Sequence, residues 1–337
     1  MHTTRKSYVF AHLSAVRFAY VDISLGQRQF VRECGWIYLQ RANKVKMTAM
    51  VYWNYEGTNF PYTVTKQTLE ALPEYQIRDD DIVVVSYPRA GEKCRFWSNW
   101  LLEIIGKLLK AAGKTTESAD SIITEPIEVI LACCKLPGYV TLADKPSPRL
   151  VKTSLPIQFA PRGISNPRNQ VKVIVVMRNP KDTAVSFYHF NKKLCQLQGV
   201  EEPVSWGEFA QAFVSGKVSF GDHCDHMLGW WQMRDDPHFL FLKYEDMTKD
   251  LPKAVKTIAA FLEVSLDEAT LTAVAEDSAF DRIKEDLAKS QFPSRRINAR
   301  KGIVGDWKTL FTAEENNAFD AWYGRKLGGT GIVFDFE

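Results

Sequence analysis

Four short apolar runs, three of them followed by a segment with helical spacing, most limit how this chain can fold. The runs occupy residues 81–88, 150–153, 171–177 and 239–244, and β-branched residues are common in the first three. Apolar residues then recur at helical spacing over 100–109, from near Lys181 onward, and over 251–262. Buried strands that alternate with helices are typical of a parallel sheet with right-handed crossovers. We therefore predict a single α/β domain with a doubly wound parallel sheet.

The composition excludes several classes of protein. The 337 residues are 45% hydrophobic and 25% charged, as in globular proteins, and the net charge of +3 does not favour a nucleic-acid partner. No apolar run approaches the roughly 18 residues of a membrane-spanning helix. Six cysteines, of which only Cys133 and Cys134 are adjacent, do not make a disulfide scaffold. We expect a cytoplasmic protein without a membrane partner.

The first 46 residues differ in charge from the rest of the chain. They hold eight Lys and Arg against two acidic residues, a net charge of +6, which leaves −3 for residues 47–337. A basic, acid-poor leader is typical of an organellar transit peptide. The alternative, which we favour, is a poorly packed basic extension over residues 1–46, followed by the folded domain over residues 47–337.

The carboxyl ends of the predicted strands carry basic and small residues, and ligands of open α/β sheets bind there. Tyr-Pro-Arg-Ala-Gly (87–91) is a turn of the kind that presents backbone N–H groups to an anion. It does not match the nucleotide-triphosphate loop, Gly-x4-Gly-Lys-Ser/Thr, which disfavours a kinase or an ATPase.

Two further segments contain residues suited to a phosphate. Arg178 lies at a strand end with Ser186 on the next helix, and Arg300 and Lys301 precede Gly302. An arginine and a hydroxyl can bind one phosphate together, and a glycine lets backbone approach an anion. The alternatives are a surface ion pair at Arg178 and a solvated basic loop at Arg300 and Lys301.

Taken in order, these segments resemble the cytosolic sulfotransferase family from about residue 55 to the end. The specific ones are Arg-Asn-Pro-Lys-Asp-Thr-Ala-Val-Ser (178–186) and Arg-Lys-Gly-Ile-Val-Gly-Asp-Trp (300–307), accompanied by segments 87–91, 150–156 and 243–247. The resemblance implies a sulfotransferase or P-loop-like fold, for which we expect a parallel sheet of about five strands. It also implies transfer of a sulfuryl group from 3′-phosphoadenosine 5′-phosphosulfate (PAPS) to a hydroxyl or amine of a small, largely apolar acceptor.

The resemblance assigns the donor site residue by residue. The 5′-phosphosulfate would be bound by Arg89, Ala90 and Gly91, with Ser98, Asn99 and Trp100 at the start of the next helix. The 3′-phosphate would be bound by Arg178, Ser186, Arg300, Lys301 and Gly302. Adenine would be bound by Trp100, Tyr244 and Phe280, with Ser278 nearby.

The same resemblance places Phe190 and His226 in the acceptor pocket and implies no metal. His226 could substitute for the family's general base, and Asp222, four residues before it, could orient the imidazole; the alternative, which we favour, is an ordinary pocket or surface histidine. His223, Cys224 and His226 are too closely spaced on a helix to share one ion.

The reaction centre departs from the family at three points. Arg89 stands at the position of the family's loop lysine, and an arginine keeps the charge but cannot give up a proton. Ser154 stands at the position of the family's general-base histidine, and losing a general base costs ~10²–10⁴ in rate. Arg89 and Lys152 would still stabilise charge at the transferring group.

The third departure is an insert of six residues, 92–97, inside the phosphate-binding turn. If the helix starts at Ser98, the turn bulges; if it starts near Glu92, Cys94 replaces the stacking Trp100. We favour the first register.

These departures motivate a rival hypothesis from another class, a non-catalytic protein that binds the nucleotide or a small molecule without turning it over. The family's dimer motif is also incomplete, since Lys308 and Thr312 match it whereas Ala313 and Asn317 do not. We therefore expect a monomer or a weak homodimer.

Overall fold

The computed structural model describes residues 52–89, 98–115, 126–130, 136–197, 204–280, 282, 285 and 301–337. The predicted basic extension 1–46 and the insert 92–97 lie outside the described residues, as do Ala90, Gly91 and Arg300. Ser98 and Asn99 are described as helix positions only, without their side chains.

Two sheets account for the described strands. An antiparallel hairpin pairs β1 with β2, and a four-stranded parallel sheet has the order β4-β3-β5-β6. All four predicted strands are confirmed, while the described residues hold four strands in this sheet against the expected five or so. The strands are β1 (Tyr52–Tyr55), β2 (Thr58–Pro61), β3 (Ile82–Ser86), β4 (Leu150–Thr153), β5 (Lys172–Met177) and β6 (Phe239–Lys243).

The three predicted helices are also confirmed, as α2, α5 and α9. None of the described helices is long and apolar enough to cross a membrane. The α-helices are α1 (Lys66–Ala71), α2 (Ser98–Ala111), α3 (Gly138–Ala143), α4 (Arg162–Ser165), α5 (Pro180–Leu197), α6 (Trp206–Val214), α7 (His223–Trp231), α8 (Tyr244–Lys249), α9 (Leu251–Phe261), α10 (Glu268–Asp277) and α11 (Ala313–Leu327), and short 3-10 helices occupy Leu72–Glu74, Ile157–Phe159 and Asp306–Thr309.

The parallel sheet is buried on both faces, as the uninterrupted apolar runs predict. Successive side chains of a strand point to opposite faces. Accordingly, Val83 and Val85 of β3 pack in one apolar cluster with α5, α6 and α7, while Val84 packs in a second with α2, α9 and α10. This two-sided core is the doubly wound α/β architecture, and it leaves the carboxyl ends of the strands as the place where polar side chains converge.

Candidate active site

The turn after β3 brings Arg89 into the protein interior. Arg89 has φ +73, in the left-handed region that non-glycine residues seldom adopt, and its side chain is buried. Its guanidinium donates from Nε and Nη2 to Ser186 Oγ on α5, at 3.3 and 3.1 Å, and Cζ lies 5.0 Å from the ring centroid of Phe190. The structure therefore brings together Arg89, Ser186 and Phe190, which the sequence assigned to three separate parts of the site.

The end of β4 is fixed by a carboxylate that the sequence did not single out. Lys152 and Ser154 are buried, and Glu128 next to them is fully buried. The Thr153 hydroxyl donates to Glu128 Oε2 at 3.0 Å, and the Ser154 backbone N–H donates to Oε1 at 2.9 Å. Glu128 comes from a loop distant in sequence. Its two hydrogen bonds fix the backbone at Thr153 and Ser154, where the chain leaves β4.

His226 of α7 is bonded to the backbone at Ser154. Its Nε2 lies 3.0 Å from the Ser154 carbonyl oxygen. A carbonyl only accepts, so Nε2 carries the proton and donates it. Burial lowers the pKa of His226 to about 4, although its backbone hydrogen bonds act in the opposite direction. A neutral imidazole with so low a pKa is a weak proton acceptor, and His226 fixes the Ser154 backbone.

The possible pairing of Asp222 with His226 is not what the structure shows. Asp222 is the N-cap of α7, and its carboxylate accepts from the backbone N–H groups of Cys224 and Asp225 and from Trp322 Nε1 at 3.2 Å. Among the described residues, no hydrogen bond joins this carboxylate to His226. N-capping by aspartate competes successfully for the side chain because it satisfies two helix N–H groups at once.

A second histidine of α7, His223, lies deeper. It is fully buried, and neither ring nitrogen has a hydrogen-bond partner within the described part of the chain. Its ring meets Tyr87 edge-on at 4.8 Å, and His226 meets the same ring at 5.3 Å. Desolvation, with a contribution from His226, lowers the pKa of His223 to about 3. Tyr87, which leads into the Arg89 turn, thus contacts two neutral imidazoles, and its hydroxyl donates to the Gly221 carbonyl at 2.7 Å.

Arg178 directly follows β5, and its guanidinium has a donor without a partner among the described residues. Its guanidinium lies over the ring of Tyr244 with Cζ 4.2 Å from the centroid, and Nη2 donates to the Ile303 carbonyl at 3.3 Å. Its Nε is buried and has no partner among the described residues. A buried, unsatisfied donor on a cation is costly, and an anion oxygen would satisfy it. A phosphate oxygen is therefore a suitable partner for Arg178 Nε.

The predicted aromatic residues form a layer beside Arg178. The rings of Trp100 and Tyr244 are 6.2 Å apart and edge-on, and Trp100 Nε1 donates to the Ser278 carbonyl at 2.6 Å. A Cβ added at Gly302 would lie 2.4 Å from the Phe280 ring, and Gly302 has φ +71. Only glycine fits there, because any side chain would displace Phe280.

Lys301 is placed differently from its predicted companion Arg178. Its Nζ lies 2.7 Å from Asp306 Oδ1, and its side chain is 48% exposed. Asp306 is buried, so the lysine neutralises a carboxylate of its own loop.

Sequence reasoning missed the polar side chains that hold this loop. Asp182 accepts from the backbone N–H of Gly305 at 3.0 Å and of Trp307 at 2.9 Å, and the Asn179 amide donates to it at 2.9 Å. Asn179 also caps α5, since its Oδ1 accepts from the Asp182 N–H. Both residues lie inside the segment 178–186 that carried the resemblance, which was the available signal.

Glu245, to which the sequence gave no catalytic role, supports the same corner. Its Oε1 accepts from the Asn179 backbone and side chain at 2.8 and 3.0 Å. Burial raises its pKa to about 7. Within the described residues, no group of histidine, cysteine and acidic side chains could hold a metal ion.

Buried cations thus lie at the ends of three neighbouring strands of this α/β fold, beside aromatic rings. The sulfotransferase domain family matches residues 79–331. Sulfotransferase 1B1 of Mus musculus is 33% identical over 277 residues, which are 79% of this chain and 88% of that protein. Sulfotransferase 6B1 of Homo sapiens is 34% identical over 295 residues, which are 86% of this chain and 91% of that protein.

Solved structures agree. The crystal structure of mouse sulfotransferase SULT7A1 complexed with PAP has a TM-score of 0.70 and 30% identity and covers 83% of this chain and 95% of that chain. A structure of retinol dehydratase in complex with androsterone and PAP, at 22% identity, has the same fold, with a TM-score of 0.69 over 87% of this chain and 96% of that chain. The chain belongs to the sulfotransferase family, as its motifs predicted.

Proposed function

We propose that this protein is a PAPS-dependent sulfotransferase that acts on a hydroxyl or amine of a small, largely apolar acceptor. The observation that carries the proposal is the buried Nε of Arg178, which has no partner in the described part of the chain and lies in a guanidinium stacked on Tyr244. The PAP in the solved complex of the similar mouse sulfotransferase supports this choice of donor.

The donor would be held at its two ends by different residues. Arg178, Ser186 and Gly302 would bind the 3′-phosphate together with Arg300 and Lys301, while Trp100, Tyr244 and Phe280 would enclose adenine beside Ser278. When bound, PAPS supplies a sulfuryl group joined to a phosphate that can leave. The hydrogen bond of 3.1 Å between Arg89 and Ser186 joins the residues proposed for the two ends, so occupancy of one end would be felt at the other.

At the reaction centre, Arg89 and Lys152 would stabilise the charge that develops on the leaving phosphate and the transferring group. Both side chains are buried, and a cation acts more strongly where water is excluded. The Ser154 hydroxyl has no useful basicity, and the Nε2–H of His226 donates a hydrogen bond to the Ser154 carbonyl. Acceptors that ionise readily, such as phenols, are therefore expected to react faster than aliphatic alcohols.

The test is incubation of the purified protein with labelled PAPS and a panel of phenols, alcohols and amines. We expect labelled product with the phenols and none with Arg178→Ala. Arg234→Ala is the matched control, because Arg234 is a half-exposed arginine that contacts Trp231. Labelled product that persists in Arg178→Ala would refute the proposed donor site.

A second candidate is a binding protein of the same fold that does not turn the nucleotide over, which the residues at 89 and 154 and the insert 92–97 favour. It differs from the enzyme in one outcome of the same assay. Tight binding of PAP by calorimetry without product from any acceptor would establish the binder.

We further propose a cytoplasmic protein that works as a monomer or weak homodimer, without nucleic-acid or membrane partners. Both residues that match the family's dimer motif make contacts within the chain. Lys308 Nζ lies 2.7 Å from Glu337 Oε1, and the Thr312 hydroxyl caps α11 by accepting from the Glu315 N–H. Light scattering on the purified protein tests this, and a stable dimer at micromolar concentration would contradict it.

A further inference from the structure

Residues 335–337, here named the strap, lie along the loop of residues 301–307, here named the donor loop. Trp307 Nε1 donates to the Phe336 carbonyl at 3.0 Å. A Cβ added at Gly305 would lie 3.4 Å from the same carbonyl oxygen and 3.8 Å from the Glu337 Cα, so strap backbone passes directly against donor-loop backbone. The strap therefore covers one side of the donor loop.

The donor loop is also held by Asp182 in the first turn of α5 and by Arg178, which lies shortly before that helix. Asp182 accepts from the Gly305 and Trp307 N–H groups, and Arg178 donates to the Ile303 carbonyl at 3.3 Å. Ile303, Gly305 and Trp307 are thus each bonded to Arg178 or to Asp182. The donor loop contacts both the start of α5 and the strap.

Lys181 links the strap to the donor loop. Its side chain is buried, and its Nζ lies 4.5 Å from the Trp307 ring centroid and 5.1 Å from that of Phe336. The same Nζ donates to Asn316 Oδ1 of α11 at 2.7 Å and pairs with Asp320 at 2.6 Å. Separation of the strap from the loop would remove one aromatic face from a buried cation, which is unfavourable.

We propose that the strap is a positioning element for donor binding: it fixes the donor loop, and with it Lys301 and Gly302, beside Arg178. This rests on the proposed function, in which the donor loop binds the 3′-phosphate. The strap acts mainly through backbone, since its carbonyls at 335 and 336 accept from Asn179 Nδ2 at 3.3 Å and from Trp307 Nε1. Its presence should matter more than its charged side chains.

The strap can be removed without emptying the core. Ile332 and Phe334, which precede it, are 4% and 6% exposed and belong to the main apolar cluster. A variant that ends at Phe334 keeps both. Trp307→Phe is a second variant, because it removes the donor to the Phe336 carbonyl and keeps a ring next to Lys181. Val333→Ala is the control, since that side chain is 66% exposed.

The experiment measures PAP affinity by calorimetry, PAPS and acceptor kinetics, and the melting temperature without ligand. We expect the variant ending at Phe334 to bind PAP about tenfold or more weakly and Trp307→Phe about fivefold more weakly, as the loss of one or two hydrogen bonds predicts. KM for PAPS should rise by the same factors, while kcat and KM for the acceptor stay within about twofold. The double variant Asp335→Ala/Glu337→Ala keeps both carbonyls and the Phe336 ring, and should bind like the wild type.

Each result decides the proposal. Wild-type binding of PAP together with unchanged affinity in the shortened variant would overturn the role of the strap and leave the proposed function intact. Failure of the wild type to bind PAP would overturn both. If the shortened variant does not fold, Trp307→Phe decides by the same criterion. A loss of affinity as large in Val333→Ala as in the shortened variant would also overturn the role of the strap.

Discussion

Replacement of His223 by phenylalanine should make the protein less sensitive to acid. His223 and His226 are both neutral and buried in the folded state, with pKa values of about 3 and about 4. In the unfolded chain a histidine has a pKa of about 6.5. Because the pKa is lower when folded, the unfolded chain takes up protons first as the pH falls. The two histidines therefore reduce stability progressively below about pH 6.5.

The size of the effect follows from the difference between the two pKa values. Between pH 7.5 and pH 5.0, each histidine binds a proton in the unfolded state over about 1.5 pH units and stays neutral in the folded state. At about 1.36 kcal/mol per unit, this lowers the free energy of unfolding by about 2 kcal/mol for each histidine. That is a sizeable fraction of the roughly 5–15 kcal/mol that holds a typical domain folded. His223→Phe should remove about half of the combined loss.

The assay is urea unfolding at pH 7.5 and pH 5.0, followed by tryptophan fluorescence. From pH 7.5 to pH 5.0, the free energy of unfolding of the wild type should fall by about 2 kcal/mol more than that of His223→Phe. Phe213→Leu is the matched control: Phe213 lies 5.8 Å from the His223 ring, so the variant disturbs the same packing but removes no titratable group. Its loss between the two pH values should equal that of the wild type. Equal losses in the wild type and in His223→Phe would refute the argument that burial keeps His223 neutral.

Three further predictions concern the site. Arg178→Ala should weaken PAP binding about 10- to 100-fold by calorimetry, since a charged hydrogen-bond donor is lost; unchanged affinity would contradict this. Ser154→His should raise kcat for alcohols at least about tenfold in the labelled-PAPS assay if the missing base limits the rate, and no gain would point to the insert 92–97. Near pH 7.5, PAP binding should be accompanied by proton uptake at Glu245, because an anion on Arg178 weakens the attraction that lowers the pKa of this carboxyl. Calorimetry in two buffers of different ionisation enthalpy should show that Glu245→Gln lacks this uptake. The same number of protons taken up by Glu245→Gln and by the wild type would contradict the prediction.

The strands and helices were predictable because local sequence determines them. The apolar run of β3 is buried along its whole length, and a run of that composition has few alternatives to a buried strand. The capping of α5 by Asn179, with Pro180 in its first turn, is a local signal of the same kind. The expected count of about five strands came from the family resemblance, and the described sheet has four.

The supporting contacts of the site were not predictable, because they join residues distant in sequence. Glu128 meets Ser154 across 26 positions, and Asp182 meets Trp307 across 125. Glu128 does not differ in sequence from an exposed acidic residue, and Asp182 is distinguished only by its place in the segment 178–186. The partners of Asp222 were not predictable either. Its spacing to His226 allows a side-chain contact, but the carboxylate accepts from the Cys224 N–H at the helix start and from Trp322 Nε1 instead.

The contact between Gly302 and Phe280 has a consequence for directed evolution of this scaffold. A Cβ at position 302 would overlap the neighbouring ring at 2.4 Å, and the backbone there is left-handed. Randomising that codon would therefore yield almost only defective clones, whereas the half-exposed side chain of Lys301 beside it leaves room for variety. A library at this turn should therefore keep residue 302 as glycine, and replacements for Lys301 should keep a cation for the buried Asp306 carboxylate.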